Sequence, residues 1–272
     1  MSMATCTLSI DPAEALRPAT VDAPVPRVVH EDEALIALHK PPGWLVHRTA
    51  LDAYADDDVV SWMRRERGEA VWPAHRLDKG TSGLLLLARN ATTASRLGQA
   101  FAAGQVRKTY LALVRGWPPD AGRTDAPLAR DPEQPSQGQP HLEASTEWTV
   151  LQRLSWPLVT RPGFPDTRVS LVEVRPLTGR RHQIRRHFKQ LGHPLIGDST
   201  HGKGPLNRAI AAWLGHSRLW LHAAMLELTH PETGDRLELQ AAPGLEWQRL
   251  ALPTTSSEAP ALEPPPGSRE LP

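Results

Sequence analysis

The strongest constraint in this chain is a polar decapeptide, Ala74-His75-Arg76-Leu77-Asp78-Lys79-Gly80-Thr81-Ser82-Gly83, that runs straight into the apolar stretch Leu84-Leu85-Leu86-Leu87-Ala88. A glycine-closed polar segment followed by an unbroken apolar one reads as a loop feeding a buried strand. A loop anchored in this way presents its one carboxylate, Asp78, from a rigid base. Arg76 lies two residues before it and Lys79 one after. An aspartate between cations is expected to be ionised, which suits a nucleophile or a charge stabiliser better than a proton donor. On the residues alone a plainer account stands beside this one: an ordinary surface turn held by a salt bridge.

The 272 residues are enough for a sizeable core. One bilobed domain is expected over 28–252, with a disordered leader over 1–27, rich in proline and alanine without periodicity, and a disordered proline-rich tail over 253–272. The single cysteine, Cys6, excludes an intrachain disulfide and fits a reducing cytoplasm. Neither a secretory leader nor an apolar run of membrane-spanning length is read, so a cytoplasmic protein with no membrane partner is expected.

The net charge of +1 would not by itself suggest a nucleic-acid partner, but its distribution does. The two ends carry −1 and −2, which leaves +4 for the middle. Residues 174–197 hold Arg175, Arg180, Arg181, Arg185, Arg186 and Lys189 and not one acid. A solvated helix face usually alternates signs, so this stretch reads as an anion-binding patch with phosphate as its ligand.

In chain order, 28–30 and 34–40 read as a strand pair turned by Glu31-Asp32-Glu33. Lys40-Pro41-Pro42-Gly43-Trp44-Leu45-Val46-His47 cannot be helical and reads as an extended connector that buries Trp44. Asp56 to Asp58 cap a helix through Val59, Val60, Trp62 and Met63 that Gly68 ends. Asn90 caps another, with Ala94, Leu97 and Phe101 on one face and Gly104 as its stop. Residues 106–114 are strand-like, and Tyr110 within them is a half-buried strand residue on the plain reading. The proline-, glycine- and glutamine-rich segment 116–140 reads as a long mobile excursion that orders on RNA. Strands follow at 143–154 and 167–175. Leu177-Thr178-Gly179-Arg180 then turns into a helix carrying His182, Gln183, Ile184, Arg185, Arg186 and His187, ended by Gly192. Residues 218–228 and 236–240 read as paired strands, and a short helix spans 244–250. His182 and His187 are five apart and diverge on a helix, which argues against a metal pair.

The wording of three segments goes further. His75-Arg76-Leu77-Asp78-x-x-Thr81-Ser82-Gly83-Leu84-Leu85 closely resembles the catalytic signature of the RluA-type pseudouridine synthases, whose aspartate matches Asp78. Lys79 stands where many members have arginine, which keeps the charge without the planar fork. Lys108-x-Tyr110 is similar to the family's second motif, and Thr178-Gly179-Arg180-x-His182-Gln183-Ile184-Arg185-x-His187 to its third. The resemblance implies an α+β catalytic domain: a mixed, mostly antiparallel sheet with flanking helices and a central cleft, with the Lys40 to His47 segment near that cleft. It implies that Arg185 pairs with Asp78, that Tyr110 packs under the target base and assists proton removal, that Ile184 packs against the flipped base, and that Arg76 fills the gap left in the stack. Arg76, Lys79, Lys108, Arg180, Arg181, His182, Arg186 and Lys189 are the expected RNA contacts.

The implied reaction detaches uracil from C1′ of the ribose, turns it and rejoins it through C5. No cofactor or metal is implied, and RNA is the one expected partner of a monomer. Asp78 acts as a nucleophile at sugar or base, or removes the 2′ proton; the residues leave these open. The stretches Gly43-Trp44-Leu45-Val46-His47-Arg48, Val114-Arg115-Gly116-Trp117 and His193-Pro194-x-Ile196-Gly197-Asp198-Ser199-x-His201-Gly202 are similar to family members that modify tRNA. They imply the T-stem uridine at position 65 as target, with a ribosomal RNA site as the alternative. An amino-terminal S4-like domain of the kind that many ribosomal relatives carry is not expected. Two other classes remain: a non-catalytic RNA-binding protein would use the same basic helix, and a hydrolase would need a P-loop or carboxylate cluster, neither of which is read.

Overall fold

The computed structural model describes residues 25–48, 58–160 and 162–251. The leader over 1–24, with Cys6, the tail over 253–272, and Asp56 and Asp57 lie outside the described residues. In chain order the elements are β1 (Arg27–Glu31), β2 (Leu35–Lys40), α1 (Val59–Arg67), β3 (Trp72–Pro73), β4 (Ser82–Ala88), α2 (Ala91–Ala102), β5 (Arg107–Arg115), β6 (Ala121–Thr124), β7 (Leu128–Ala129), β8 (His141–Leu142), β9 (Thr146–Trp156), β10 (Thr167–Pro176), α3 (Gln183–Gln190), α4 (Gly204–Leu214), β11 (Leu221–Thr229) and β12 (Arg236–Gln240). A 3₁₀ helix, Leu245–Ala251, follows where a short helix over 244–250 was expected.

The main sheet runs β1-β2-β4-β11-β5-β10-β9-β6, with β12 on β11 and β3 on β4. Among the named strands every pairing is antiparallel except β4 with β11, where His222 lies opposite Ser82. β4 is buried along its whole length between β2 and β11, so its leucines face protein on both sides and need no alternation. Gly83, at the loop's exit into β4, has φ +105°, and a Cβ there would collide with the Ala223 carbonyl. One row of registered residues, Gly83, Ala223, Tyr110 and Val174, therefore crosses four strands and ties the loop to β5 and β10.

The core is divided into separate clusters on the two halves of the sheet. Leu84 to Leu87 pack with α1 and α2 through Val59, Met63 and Leu97. On the other half, alternate residues of β5 point to opposite faces: Leu111 and Leu113 toward α4 and Trp247, Ala112 and Val114 toward Ile184 and Phe188 of α3.

Several expectations are corrected. Arg27, placed in the leader, begins β1. Helix α4 was not read, although Pro205 in its first turn and Gly215 at its C-cap bracket it. His182 is not within a helix; it is the N-cap of α3, with a left-handed φ of 55°. The segment 116–140 is not a free excursion. β6 pairs with β9, β7 with β8, and the carbonyls of Pro118 and Pro119 accept from Arg153 and Trp148. Long side chains of β9 supply the donors that a proline-rich segment lacks of its own.

Candidate active site

Asp78 sits at the apex of a loop clamped from both flanks. His75 Nε2 accepts from Leu86 N at 3.1 Å, and its ring stacks on Phe101. Burial, and then the nearby Lys108 charge, push His75 down to about 4, so it is a neutral acceptor. Thr81 N donates to Asp78 O at 3.0 Å, closing a tight turn. From the other side Lys79 O accepts from Gly43 N at 2.8 Å and from Lys40 Nζ at 3.3 Å. Lys40 is fully buried and also donates to Pro41 O and Trp44 O. Burial pushes its ammonium down to about 7 against the opposing pull of the Asp78 charge. The connector read from its prolines is thus stapled under the loop by a lysine whose part the sequence did not reveal.

From the far lobe comes α3. Gln183, its first residue, locks the preceding turn: its Oε1 accepts from Thr178 Oγ1 and Arg180 N, and its Nε2 donates to Ser145 O and Thr146 Oγ1. One helical position on from Ile184, Arg185 enters the cleft. Its Nη1 donates to Asp78 Oδ2 at 2.8 Å, while Nε and Nη2 donate to the two oxygens of Asp198 at 2.8 and 2.9 Å. Burial alone disfavours the Arg185 charge, but the bonds and charges of Asp198 and Asp78 outweigh it and hold the guanidinium above its ordinary range. His182 Nε2 lies 3.8 Å from Asp78 Oδ1, and its Nδ1 is 3.1 Å from His201 Nε2. Burial holds the His182 imidazole below its usual range.

Two cavities meet at Asp78. One, of about 650 Å³, is lined by Tyr110, Ile184, Lys108, Phe101, Leu221 and Arg180 among others. The other, of about 490 Å³, is bounded by His47, Lys79, Glu133, Ser199 and Thr200. Arg76, Leu77, Asp78, Arg181, His182 and Arg185 line both and form the partition. The larger is of a size that takes a small ligand, with one apolar wall and a few converging polar groups. Burial, and then the Asp78 charge, raise the Tyr110 phenol above its usual range, so it enters the site as a neutral hydroxyl and a flat ring.

The predicted RNA contacts divide by position. Arg76 is exposed on the partition, with no ion-pair partner among the described residues. Lys108 donates to Thr178 O and Arg180 to Glu143 O, both at the rim of the larger cavity. Arg181 pairs with Asp131 and Glu133. Arg186 and Lys189 line neither cavity: Arg186 donates to Ala129 O, bracing β7, and Lys189 is exposed on the last turn of α3. The acid-free stretch is therefore not a bare cationic patch. Arg175 pairs with Glu173, and most of the other arginines meet oxygen partners from distant parts of the chain. Asp198 and His201 went unread, although the stretch that holds them had been singled out.

A mostly antiparallel sheet split by a basic cleft, with one aspartate paired to a buried arginine and a tyrosine ring beside them, defines the catalytic domain of a pseudouridine synthase. The chain belongs to the RNA pseudouridylate synthase family, whose model matches residues 34–190. It is 39% identical over 228 residues to the tRNA pseudouridine synthase C of Vibrio cholerae serotype O1, covering 82% of this chain and 93% of that protein. Against the protein of the same name from Salmonella typhi the identity is 40%, with 82% and 87% covered. Among solved structures, human RNA pseudouridylate synthase domain containing 1 aligns with a TM-score of 0.63 at 27% identity, covering 83% of this chain and 85% of that one. The protein is a pseudouridine synthase of the RluA type, acting on RNA. Among the described residues no helix is long and apolar enough to cross a membrane.

Proposed function

We propose that the enzyme converts the T-stem uridine at position 65 of tRNA to pseudouridine, with Asp78 as the reacting carboxylate. The observation that carries the site reading is the Asp78–Arg185 pair at 2.8 Å on the partition between the cavities. The target nucleotide leaves its stem and enters the larger cavity, its base between Tyr110 and Ile184, while Arg76 takes the place it vacates. The N1–C1′ bond breaks, the C5–C1′ bond forms, a proton leaves C5 and one returns to N1, so the atoms balance without any added reagent. Asp78 acts at sugar or base, or on the 2′ proton, and Arg185 holds it in place. Arg76, Lys79, Lys108, Arg180 and Arg181 contact backbone phosphates of an A-form stem, whose deep groove offers little sequence readout. The choice of tRNA is supported by relatives that cover nearly their full length and carry tRNA in their names. Incubating the purified protein with unmodified tRNA and with ribosomal RNA fragments, then mapping pseudouridine, tests it. Conversion at the T-stem uridine is expected; conversion confined to the ribosomal fragments would overturn the substrate and keep the chemistry.

A further inference from the structure

The groups that flank Asp78 are both held by one short turn. Gly197, just before it, has φ +76°, and a Cβ there would run into the Arg218 carbonyl, so the turn is pressed against β11's approach. Asp198 is 1% exposed and accepts six hydrogen bonds through side chain and backbone, from Arg185 Nε and Nη2, Thr200 N, His201 N, Gly202 N and Asn207 Nδ2. His201, three residues on, holds His182 by the 3.1 Å contact between their rings. His182 has a left-handed backbone, rare for a residue with a side chain, that needs such a support.

We propose that Asp198 is the positioning residue for Arg185 and that the turn from Asp198 to His201 is the frame that holds both groups flanking Asp78, Arg185 and His182. The inference rests on Asp78 being the reacting carboxylate. Any bond or proton that Asp78 takes from the substrate weakens its contact with Arg185. A guanidinium with one partner would follow Asp78 or be stranded in a site where its side chain is only 8% exposed. Bidentate capture of Nε and Nη2 by Asp198 leaves Nη1 alone for Asp78 and keeps the guanidinium plane fixed throughout. With both carboxylates ionised the arrangement Asp78–Arg185–Asp198 carries net charge −1, and once Asp78 has taken a bond or proton the remaining Arg185–Asp198 pair is neutral.

The test compares Asp198→Asn with the wild type in single-turnover pseudouridine formation and in tRNA binding. Asparagine keeps an acceptor for Thr200 N and His201 N but cannot accept two bonds from Arg185. The expected result is a rate lower by about 10- to 100-fold, as for loss of a partner that orients a reacting group, with the tRNA dissociation constant within about threefold. An unchanged rate, or equal loss of rate and affinity, overturns the proposal. Because a buried guanidinium left unpaired can unfold the protein, a second comparison removes both charges: Arg185→Gln with and without Asp198→Asn. Equal rates in the two are expected if Asp198 acts through Arg185 alone; a further loss in the double variant overturns it. Asp78→Asn is the separate control: turnover retained there would sink the reading of Asp78 itself, whatever Asp198 does.

Discussion

Two arginines four positions apart, Arg181 and Arg185, each meet two carboxylates, yet they belong to different kinds of structure. Arg185 lies between Asp78 and Asp198, with side chains 8%, 19% and 0% exposed. Arg181 lies between Asp131 and Glu133, with side chains 33%, 43% and 50% exposed. Burial makes the first cluster part of the architecture, because removing one member strands charges that water cannot reach. Exposure makes the second exchangeable, since water and salt already compete for each pair. A phosphate can replace Glu133 on Arg181; nothing in solvent can replace Asp198 on Arg185.

The largest effect expected falls on chemistry. Asp78→Asn should lower single-turnover pseudouridine formation by at least about 1000-fold while RNA affinity stays within about threefold, because one acid removed from a basic cleft takes away no phosphate contact. Substantial turnover in a folded Asp78→Asn protein would break the contrast between a reacting cluster and a binding one. Stability separates the clusters next. In urea unfolding, Arg185→Met should cost about 3–5 kcal/mol by stranding Asp198, whereas Arg181→Met should stay within about 1 kcal/mol. Similar losses in the two would show that exposure does not set the difference.

Lys40 sharpens the comparison, being a buried cation held by carbonyls where Arg185 is held by carboxylates. Its folded state releases the proton at about 7, against the ordinary 10.5. Between those values the unfolded chain binds more protons, so this group makes stability rise with pH through the window and lose that gain on descending to about 7. Lys40→Met should flatten this rise, measured as unfolding free energy at several alkaline pH values; parallel curves for the two proteins would remove Lys40 as the cause.

Smaller effects belong to binding. Arg181→Ala should weaken RNA affinity by about 3- to 10-fold and reduce the slope of its salt dependence by about one, with turnover at saturating RNA unchanged. An unaltered slope would mean that Arg181 never meets phosphate. Smallest of all, Glu133→Gln should tighten RNA binding by about two- to threefold at low salt, because it releases Arg181 from a competing carboxylate, and the gain should vanish as salt is raised. Weaker binding would make Glu133 a contact in its own right.

Much of the local structure was legible. Asn90 and Asp58 cap α2 and α1 through Thr93 N and Ser61 N, and the run of leucines forms the buried β4. Caps and apolar runs are short-range signals, satisfied within a few residues, so the sequence displays them. The segment 116–140 was misread for the complementary reason. Its proline and glycine content is a local sign of looseness, but its order comes from Trp148, Arg153, Arg181 and Arg186, all supplied from later in the chain.

The sequence by itself determined the loop that carries Asp78, the buried strand that it feeds and, through the wording of three motifs, the family of the enzyme. Only the tertiary structure decided what each charge does. A stretch of arginines without an acid looks like one cationic surface until the sheet folds, because charge counts along a chain say nothing of which carboxylates arrive from elsewhere. Folding brought Asp78 and Asp198 to Arg185 and buried all three, brought Asp131 and Glu133 to Arg181 at the surface, and turned Arg186 toward a backbone carbonyl. Burial sets the strength of each pairing, and burial is a property of the packed chain.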